Sequence, residues 1–399
     1  MNKSLIAQMC LDKQALANFW ELHRRFSRSK KYKLKNMIKC GLHVIRHDRL
    51  VKHEGQYILN SFIPPLNSPA FLNIALHVPG EGADFFENHC QGKRLAPISA
   101  YIAVTGRCKY NCWHCSASAA NRQEELDTED MLEIVGKLQE LGVGIIGFTG
   151  GEPLLRADLE QLIASINEKS VSLVFSTGYN LTLKRAESLK TAGLLGIAIS
   201  LDSVSEEKHD RLRGYQGAYQ QAIQAIRNAK KAGLYTMSQT VGRRELLAGG
   251  EIFQLAKMLK QEGVDEMRII EPLPCGKLSR QPEAVLSPEE QSELKNLHLT
   301  LNHDQQYPKA SVFPYFESAE QFGCGAACQH SYVDQYGNFG PCDFLGRRYG
   351  NILSENIQDL WQKMHTELGR PRCACLAKKP AQSEQRLPKF YRLLAGDLE

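Results

Sequence analysis

The feature that most constrains the fold of this chain is a sixfold alternation of β-rich runs with amphipathic helical stretches. The runs span residues 98–104, 143–148, 171–176, 196–201, 235–241 and 266–270. Between them lie helical patterns over approximately 127–141, 157–168, 183–192, 219–232 and 251–262. Because each helix returns the chain to the same end of the sheet, neighbouring strands should be parallel. The pattern predicts an α/β fold, either an open sheet or a barrel, with the active site at the carboxyl ends of the strands.

Three cysteines follow the first of these strands in a C-x3-C-x2-C spacing: Cys108, Cys112 and Cys115. Three thiolates so close in sequence can bind one metal centre. A structural zinc ion normally takes four protein ligands, and the sequence supplies no fourth one nearby. Three thiolates on a cubane iron-sulfur cluster would leave one iron open to a small molecule, whereas ferredoxin clusters take four cysteine ligands. The spacing therefore favours an iron-sulfur cluster with an open iron over a zinc site.

A glycine-rich turn, Gly150-Gly151-Glu152-Pro153, follows the second strand. The two glycines allow a tight turn that approaches a ligand, and the proline suits the start of a helix. Together with the cysteine triad and with His114 before its third cysteine, this turn resembles the motifs of the radical S-adenosylmethionine (SAM) superfamily. The resemblance covers residues 98 to about 272. It implies a partial TIM-type (β/α)6 barrel, a 4Fe-4S cluster on the three cysteines, and SAM as a second cofactor.

The resemblance also implies cofactor-binding residues at the ends of successive strands. The glycine backbone and Glu152 would hold the methionine amino group of SAM, and the hydroxyl of Ser200 would contact its ribose or carboxylate. The third strand departs from the family's Thr-Asn-Gly, because Thr177 is followed directly by glycine. The implied contacts with the cofactor are His114, Gly150, Gly151, Glu152, Pro153, Thr177, Ser200 and Arg213.

A second group of cysteines lies beyond the sixth strand. The segment from Cys324 to Cys342 indicates a short hairpin that turns at Gly337-Asn338. This segment resembles the opening of the SPASM or twitch extension of radical SAM enzymes, which carries auxiliary iron-sulfur clusters. Too few cysteines follow for two clusters, so we expect one, with a structural zinc ion as the alternative. The implied ligands are Cys324, Cys342, Cys373 and Cys375, with Cys328 and Cys275 as competing ligands.

Positive charge is concentrated at the amino terminus. Residues 1–53 hold 13 Lys or Arg against 3 Asp or Glu, whereas the rest of the chain has a net charge of −5. Apolar residues interleave with the basic ones, which is typical of amphipathic helices with a basic face. Such a face is either simply solvated or binds an anionic partner. We expect an acidic precursor peptide to bind there, with peripheral contact with a membrane surface as an alternative.

The composition favours a cytoplasmic protein. The longest apolar run, residues 141–148, is far shorter than the roughly 20 residues of a transmembrane helix. The first residues lack the apolar core and cleavage site of a secretory signal. Twelve cysteines in 399 residues are too few for a disulfide scaffold and suit a reducing compartment, where thiols bind metal or do chemistry.

These features predict four regions: a basic helical extension and connector over 1–97, a radical SAM core over 98–280, a linker helix over 281–318, and a SPASM/twitch-like domain and tail over 319–399. The resemblance implies an oxidoreductase that reductively cleaves SAM to a 5′-deoxyadenosyl radical, which abstracts hydrogen from a substrate. A one-electron donor such as flavodoxin or ferredoxin would reduce the cluster. We expect a peptide or protein substrate. The alternatives are a small molecule, such as an aminosugar or a tetrapyrrole, and a non-catalytic iron-sulfur or zinc binding module.

Overall fold

The computed structural model describes residues 3–117, 125–378 and 386–397. In this part of the chain the strands are β1 (Val51–His53), β2 (Gln56–Ile58), β3 (Ser99–Ala103), β4 (Ile145–Thr149), β5 (Val171–Ser176), β6 (Gly196–Ser200), β7 (Tyr235–Val241), β8 (Glu266–Ile270), β9 (Lys309–Val312), β10 (His330–Val333), β11 (Asn338–Gly340) and β12 (Gly350–Asn351).

Helices precede, separate and follow these strands. They are α1 (Lys3–Leu11), α2 (Lys13–Phe26), α3 (Leu34–His47), α4 (Pro69–Leu76), α5 (Ala83–Cys90), α6 (Thr128–Leu141), α7 (Leu159–Ala164), α8 (Leu183–Thr191), α9 (Glu206–Arg213), α10 (Ala218–Lys231), α11 (Arg244–Ala248), α12 (Glu251–Gln261), α13 (Pro288–His303), α14 (Phe313–Phe316), α15 (Ile357–Leu368) and α16 (Lys389–Ala395). Short 3-10 helices cover Pro153–Leu155, Gly276–Arg280 and Pro282–Ala284.

One large sheet dominates the fold, with the strand order β12-β11-β10-β3-β4-β5-β6-β7-β8-β9. Every neighbouring pair from β10 to β9 is parallel. The predicted α/β fold with a partial barrel of parallel strands is confirmed, because the six predicted strands are β3 to β8. Helix α6 also begins and ends as its sequence predicts, with Asp127 as N-cap and Gly142 in the left-handed conformation after its last turn.

The structure differs from the prediction at both edges of this barrel. Residues 281–318, which we predicted as a linker helix, contain α13 and then β9, which extends the sheet beyond β8. The C-terminal region likewise supplies β10, which pairs with β3. Both strands satisfy backbone groups that a six-stranded sheet would leave unpaired at its edges. The hairpin predicted between Cys324 and Cys342 is present as β10 and β11. The sequence did not reveal β9 or the pairing of β10 with β3, because four residues are too few to show strand alternation. The division into four regions stays a prediction.

The N-terminal segment packs against the amino ends of the barrel strands. The hairpin of β1 and β2 places Ile58 in an apolar cluster with Ile145, Leu173 and Tyr235 at the amino ends of the strands. Next to it, the buried Lys309 ammonium lies 2.7 Å from a carboxylate oxygen of Asp48. A second apolar cluster joins side chains of α2, α5 and the C-terminal α16. No helix within the described residues is long and apolar enough to cross a bilayer.

Candidate active site

The cysteine triad lies in the loop after β3, at the carboxyl end of the barrel. Cys108 is exposed, Cys112 is buried and Cys115 is partly buried. The backbone N–H of Tyr110 donates to Cys108 Sγ at 3.4 Å, and Arg213 Nη1 lies 3.9 Å from Cys112 Sγ. Although Cys108 is exposed as a residue, the surrounding atoms desolvate its thiol and raise its pKa to about 11, so a metal that binds there must displace protons. Donors aimed at the sulfur atoms favour an anionic ligand set of thiolates.

The glycine turn after β4 holds this loop in place. Gly151 N donates to Thr105 O at 2.7 Å, and Glu152 N donates to Arg107 O at 2.8 Å. A Cβ atom on Gly150 would lie 2.2 Å from Thr105 O, and one on Gly151 would lie 2.2 Å from Arg107 O. The two glycines, which we predicted as cofactor contacts, therefore also allow the turn to contact the backbone that leads into Cys108.

The loop after β8 supports the triad from another side. Lys277 donates from its backbone N–H to Cys115 O at 3.0 Å and from its ammonium to Cys112 O at 2.9 Å. Asn111, between the first two cysteines, donates from its backbone N–H to Arg213 O at 3.0 Å. Lys277 could not be singled out from the sequence, because its contacts join segments more than 160 residues apart.

Glu152 links the ends of two strands. Its buried carboxylate accepts hydrogen bonds from Ser176 Oγ at 2.7 Å and from the backbone N–H and hydroxyl of Thr177 at 2.7 and 2.6 Å. Burial raises its pKa, and these hydrogen bonds oppose that shift. It also caps the 3-10 helix that Pro153 begins, through a bond from Leu154 N. The structure thus brings the predicted residues Glu152 and Thr177 into direct contact.

A buried ion pair lies beneath the triad. Arg213 Nη2 is 2.7 Å from a carboxylate oxygen of Asp202, and both side chains are almost fully buried. The backbone N–H of Val241 donates to the other oxygen of Asp202 at 2.9 Å. The ion pair fixes the Arg213 guanidinium beside Cys112, where its positive charge stabilises a thiolate. Ser200 ends β6, half-buried, two residues before Asp202.

His114, between the last two cysteines, is partly buried, and its imidazole is neutral. Desolvation and, second to it, the nearby Arg213 charge lower its pKa to about 4. Among the described residues neither His114 Nδ1 nor Trp113 Nε1 has a hydrogen-bond partner. Buried polar atoms without partners suggest a polar ligand in the functional state. Three thiols beside a fixed cation and these unpaired groups fit a 4Fe-4S cluster with SAM.

Comparison with known proteins agrees with this geometry. Residues 102–246 match the family model described as the radical SAM superfamily. The chain is 28% identical over 296 residues to the AdoMet-dependent heme synthase of Oleidesulfovibrio alaskensis, covering 67% of this chain and 76% of the relative. It is 26% identical over 296 residues to mycofactocin maturase MftC of Mycobacterium tuberculosis, covering 70% and 74% of the two chains. Residues 102–246 of the chain therefore form a radical SAM domain.

A solved structure shares the fold of this radical SAM protein. The crystal structure of Streptococcus suis SuiB bound to the precursor peptide SuiA has a TM-score of 0.57 at 14% identity, covering 69% of this chain and 67% of SuiB. The family match and the relatives of similar sequence indicate an iron-sulfur dependent enzyme whose cofactors are a 4Fe-4S cluster and SAM, as the sequence predicted. The individual residues assigned to these cofactors stay predictions, to which the contacts above add support.

The C-terminal cysteines of this radical SAM enzyme divide into two groups. Cys324, Cys342 and Cys375 line one cavity. A hydrogen bond from Cys375 lowers the pKa of Cys324, which favours its thiolate, the form that binds metal. Cys328 instead donates to Gly92 O at 3.5 Å, and Cys373 donates to Arg386 O at 3.5 Å. The cavity wall therefore favours the first three as ligands of a second centre.

A second donor group adjoins these cysteines. Ligand atoms of His330, Cys342 and Asp343 lie within 4.8 Å of one another. The sequence prediction passed over His330 and Asp343, although each lies within two residues of a candidate cysteine. Cys275 interacts electrostatically with both Cys115 and Asp343, so it stands between the two candidate centres. Cysteine, histidine and carboxylate are all ligands that zinc accepts as well, which keeps both metals open at this place.

The cavity beside these groups extends from the barrel interior to the N-terminal helices. Its volume is about 720 Å³, within the usual range for sites that bind small molecules. Its lining is mainly apolar. Inside the barrel it reaches Tyr101, Phe175, Arg268 and Thr149, and Thr149 directly precedes the Gly150 turn. A molecule in this cavity would therefore lie close to the catalytic end of the barrel.

Arg268 is a buried cation of this cavity that forms no ion pair among the described residues, although its Nη2 donates to Tyr101 Oη at 3.4 Å. It is 1% exposed, and its guanidinium carbon lies 4.6 Å from the ring centre of Phe175 and 5.1 Å from that of Phe313. Within the described residues its Nε and Nη1 atoms have no hydrogen-bond partner. The nearest acid along the strand, Glu266, already accepts hydrogen bonds from Ser61 and Tyr235. A buried guanidinium in this state favours an anionic ligand.

Proposed function

We propose that this radical SAM enzyme abstracts hydrogen from an apolar molecule that carries at least one carboxylate and lies in the barrel cavity. The observation that carries the proposal is Arg268, a buried guanidinium with two unpaired nitrogen atoms in a mainly apolar cavity. A carboxylate would form a charge-assisted pair with these atoms, and the apolar walls would hold the rest of the molecule.

The residues of this chain divide the work between the two ends of the cavity. The cofactors, when bound on Cys108, Cys112 and Cys115, supply the hydrogen-abstracting chemistry. Arg213 provides a fixed positive charge beside Cys112, and Glu152 holds the ends of β4 and β5 together. The apolar lining excludes water from the reacting groups. Arg268 would orient the substrate so that one of its C–H groups faces the triad.

A peptide or protein substrate is the second candidate. It is favoured by the relative named mycofactocin maturase and by the basic residues of the N-terminal helices, to which an acidic precursor segment could bind. The two candidates differ in what Arg268 does. A peptide bound at the N-terminal surface would depend on exposed lysines, whereas a carboxylate inside the cavity depends on Arg268.

The Arg268→Gln substitution should abolish the preference of the cavity for carboxylates. The probes are coproporphyrin III and oleate, each compared with its methyl ester, because they offer a rigid and a flexible apolar body. We expect the wild-type protein to bind at least one acid more tightly than its ester. The substitution should weaken binding of that acid roughly 10- to 100-fold, the usual effect of a hydrogen bond to a charged group. Fluorescence quenching or calorimetry measures both affinities.

Two comparisons make this test specific. Arg268→Lys keeps the charge without the two-pronged geometry, so it should recover part of the preference. Formation of 5′-deoxyadenosine without substrate should persist in Arg268→Gln, since the residue lies away from the triad. Equal binding of acids and esters by the wild-type protein, or an unchanged preference in Arg268→Gln, would contradict the carboxylate proposal.

We also propose that the second group of cysteines holds one auxiliary iron-sulfur cluster, and that a reduced flavodoxin or ferredoxin supplies electrons to the enzyme. Cys324, Cys342 and Cys375 share a cavity wall, and Cys324 has a lowered pKa. Such a cluster could remove an electron from the substrate after hydrogen abstraction. The reaction would then be a net oxidation.

Removing two of these cysteines should remove this cluster alone. The Cys324→Ala/Cys342→Ala protein should retain the iron and sulfide of one 4Fe-4S cluster and should still form 5′-deoxyadenosine. Cys328→Ala is the matched control, because its thiol binds Gly92 O instead; that protein should keep both clusters. Metal and sulfide analysis of the purified proteins gives the result. Zinc in place of iron, or unchanged iron after the double substitution, would rule out the auxiliary cluster.

A further inference from the structure

Two N-terminal helices present apolar side chains to solvent instead of to the core. On α3, Leu34, Ile38 and Leu42 are exposed at 38%, 47% and 45%, and their spacing of four places them along one face. On α2, Leu16 and Trp20 are exposed at 38% and 56% with the same spacing. Single exposed apolar residues are ordinary, but two such rows on neighbouring helices indicate an interaction surface.

Basic residues flank both rows. On α3, Lys35 and Lys39 each follow an exposed apolar residue, and Arg46 lies one turn beyond Leu42. On α2, Lys13 and Arg24 lie at either end of the row. Arg24 pairs with Glu21, whereas Lys35 and Lys39 take part in none of the ion pairs found among the described residues. The surface therefore combines apolar contact with uncompensated positive charge.

The barrel cavity opens at this same surface. Leu16 of α2 and Ile38 and Gly41 of α3 are exposed and also line the cavity. Deeper lining residues of these helices are more buried, among them Phe26, Cys40 and Val44. The cavity thus leads from a solvent-exposed apolar mouth between α2 and α3 to Arg268 inside the barrel.

We infer that α2 and α3 dock onto an anionic phospholipid bilayer and open the cavity mouth toward its acyl chains. The charge complementarity comes from Lys35, Lys39 and their neighbours, and the apolar rows would enter the boundary between headgroups and acyl chains. A helix with an apolar row between basic flanks is the usual form of an interfacial membrane helix. Neither helix is long enough or apolar enough to span the bilayer, so the contact is peripheral.

The same features fit a bilayer better than an acidic peptide. A peptide that paired with the lysines would leave Trp20, Leu34 and Leu42 in water, whereas a bilayer removes both kinds of side chain from water at once. The mouth position adds a second reason, which rests on the proposed function. An apolar substrate dissolves in the membrane and would reach Arg268 without crossing water.

Flotation with vesicles tests this docking surface in the full-length protein. The wild-type protein should float with vesicles of phosphatidylcholine mixed with phosphatidylglycerol and much less with phosphatidylcholine alone. Lys35→Gln/Lys39→Gln should weaken partitioning roughly 30-fold, because each lysine near an anionic surface contributes about fivefold. The matched control is Lys169→Gln/Lys184→Gln, which removes two exposed lysines from the barrel and should partition like the wild type.

A second pair of variants tests the apolar rows. Trp20→Ser/Leu42→Ser should also lose flotation, and added salt should not restore it. Leu95→Ser changes an equally exposed leucine outside the two helices, 48% exposed, and should behave like the wild type. Far-ultraviolet circular dichroism checks that each variant is folded.

The docking proposal would be overturned if the wild-type protein did not float with anionic vesicles, or if the substitutions of Lys35, Lys39, Trp20 and Leu42 left flotation unchanged. It would also be overturned if the protein bound a poly-glutamate peptide but no vesicles. A dimer that is lost in Trp20→Ser/Leu42→Ser, with no vesicle binding by the wild type, would show that the apolar rows join two copies of the chain instead. Since flotation needs neither cofactor nor Arg268, its outcome is independent of the carboxylate test.

Discussion

Replacing Cys108, Cys112 and Cys115 together by Ala will remove the catalytic cluster and abolish formation of 5′-deoxyadenosine. The three thiols are the predicted iron ligands in the loop after β3, so the cluster should not assemble without them. The purified triple variant should lose the iron and sulfide of one 4Fe-4S cluster. Product formation under a strong reductant should fall below detection, measured by chromatography after anaerobic reconstitution.

The control separates this effect from a general loss of thiols. Cys90 is buried in the apolar cluster between the N-terminal helices and α16, far from the triad in the fold. Cys90→Ala should therefore retain both the iron content and the product. A triple variant that still forms 5′-deoxyadenosine would show that the cluster lies elsewhere.

The second large effect is expected from Gly151→Ala, which adds only one methyl group. That methyl group would lie 2.2 Å from Arg107 O and 2.8 Å from Gly106 O, both in the backbone that leads into Cys108. The turn and the cysteine loop must move apart, which breaks the 2.7 Å hydrogen bond from Gly151 N to Thr105 O. We expect cleavage of SAM to fall roughly 100-fold, since misplacement of reacting groups by about 1 Å has effects of that order.

Gly136→Ala is the matched control for this substitution. Gly136 lies within α6, and a Cβ atom there would meet nothing within 4 Å. Alanine should stabilise the helix by about 0.5–1 kcal/mol and leave cleavage of SAM unchanged. If Gly151→Ala cleaved SAM at the wild-type rate with full iron content, the close contact of the two loops would not matter for catalysis.

The barrel and its catalytic end could be predicted because they depend on local sequence. The six strands are short β-rich runs separated by amphipathic helical stretches, and the triad and the glycine turn each lie within a few residues. The neighbours of these motifs could not be found in the same way. Glu152 contacts Thr177 across two strands, and Lys277 reaches Cys112 from the far end of the barrel domain.

Arg268 shows why the substrate site was harder to predict than the cofactor site. The β8 sequence Glu-Met-Arg-Ile-Ile has polar residues at alternate positions, which suits either a solvent-exposed face or a lined interior. Only the closure of the sheet around Tyr101 and Phe175 makes that face the interior. The positions of β9 and β10 in the sheet were also hard to predict, because their partners β8 and β3 are distant in sequence.

The exposed rows of α2 and α3 could be predicted in part, less fully than the cofactor site and more fully than the substrate site. Their amphipathic pattern and basic charge were visible in the sequence. The pattern alone did not say which apolar residues face the core, and the structure shows Phe26, Cys40 and Val44 buried while Trp20 and Leu42 are exposed. That distinction gives the basic segment the apolar rows from which we propose a bilayer as its partner.

The most direct test of the account is the fate of SAM in the wild-type protein. The enzyme is reconstituted anaerobically with iron and sulfide, supplied with SAM and a strong one-electron reductant, and assayed for 5′-deoxyadenosine and methionine. The account predicts both products in equal amounts, dependent on the reductant and lost on substitution of the cysteine triad. Intact SAM in the presence of a fully loaded and reduced cluster, or zinc bound at the triad in place of iron, would contradict it.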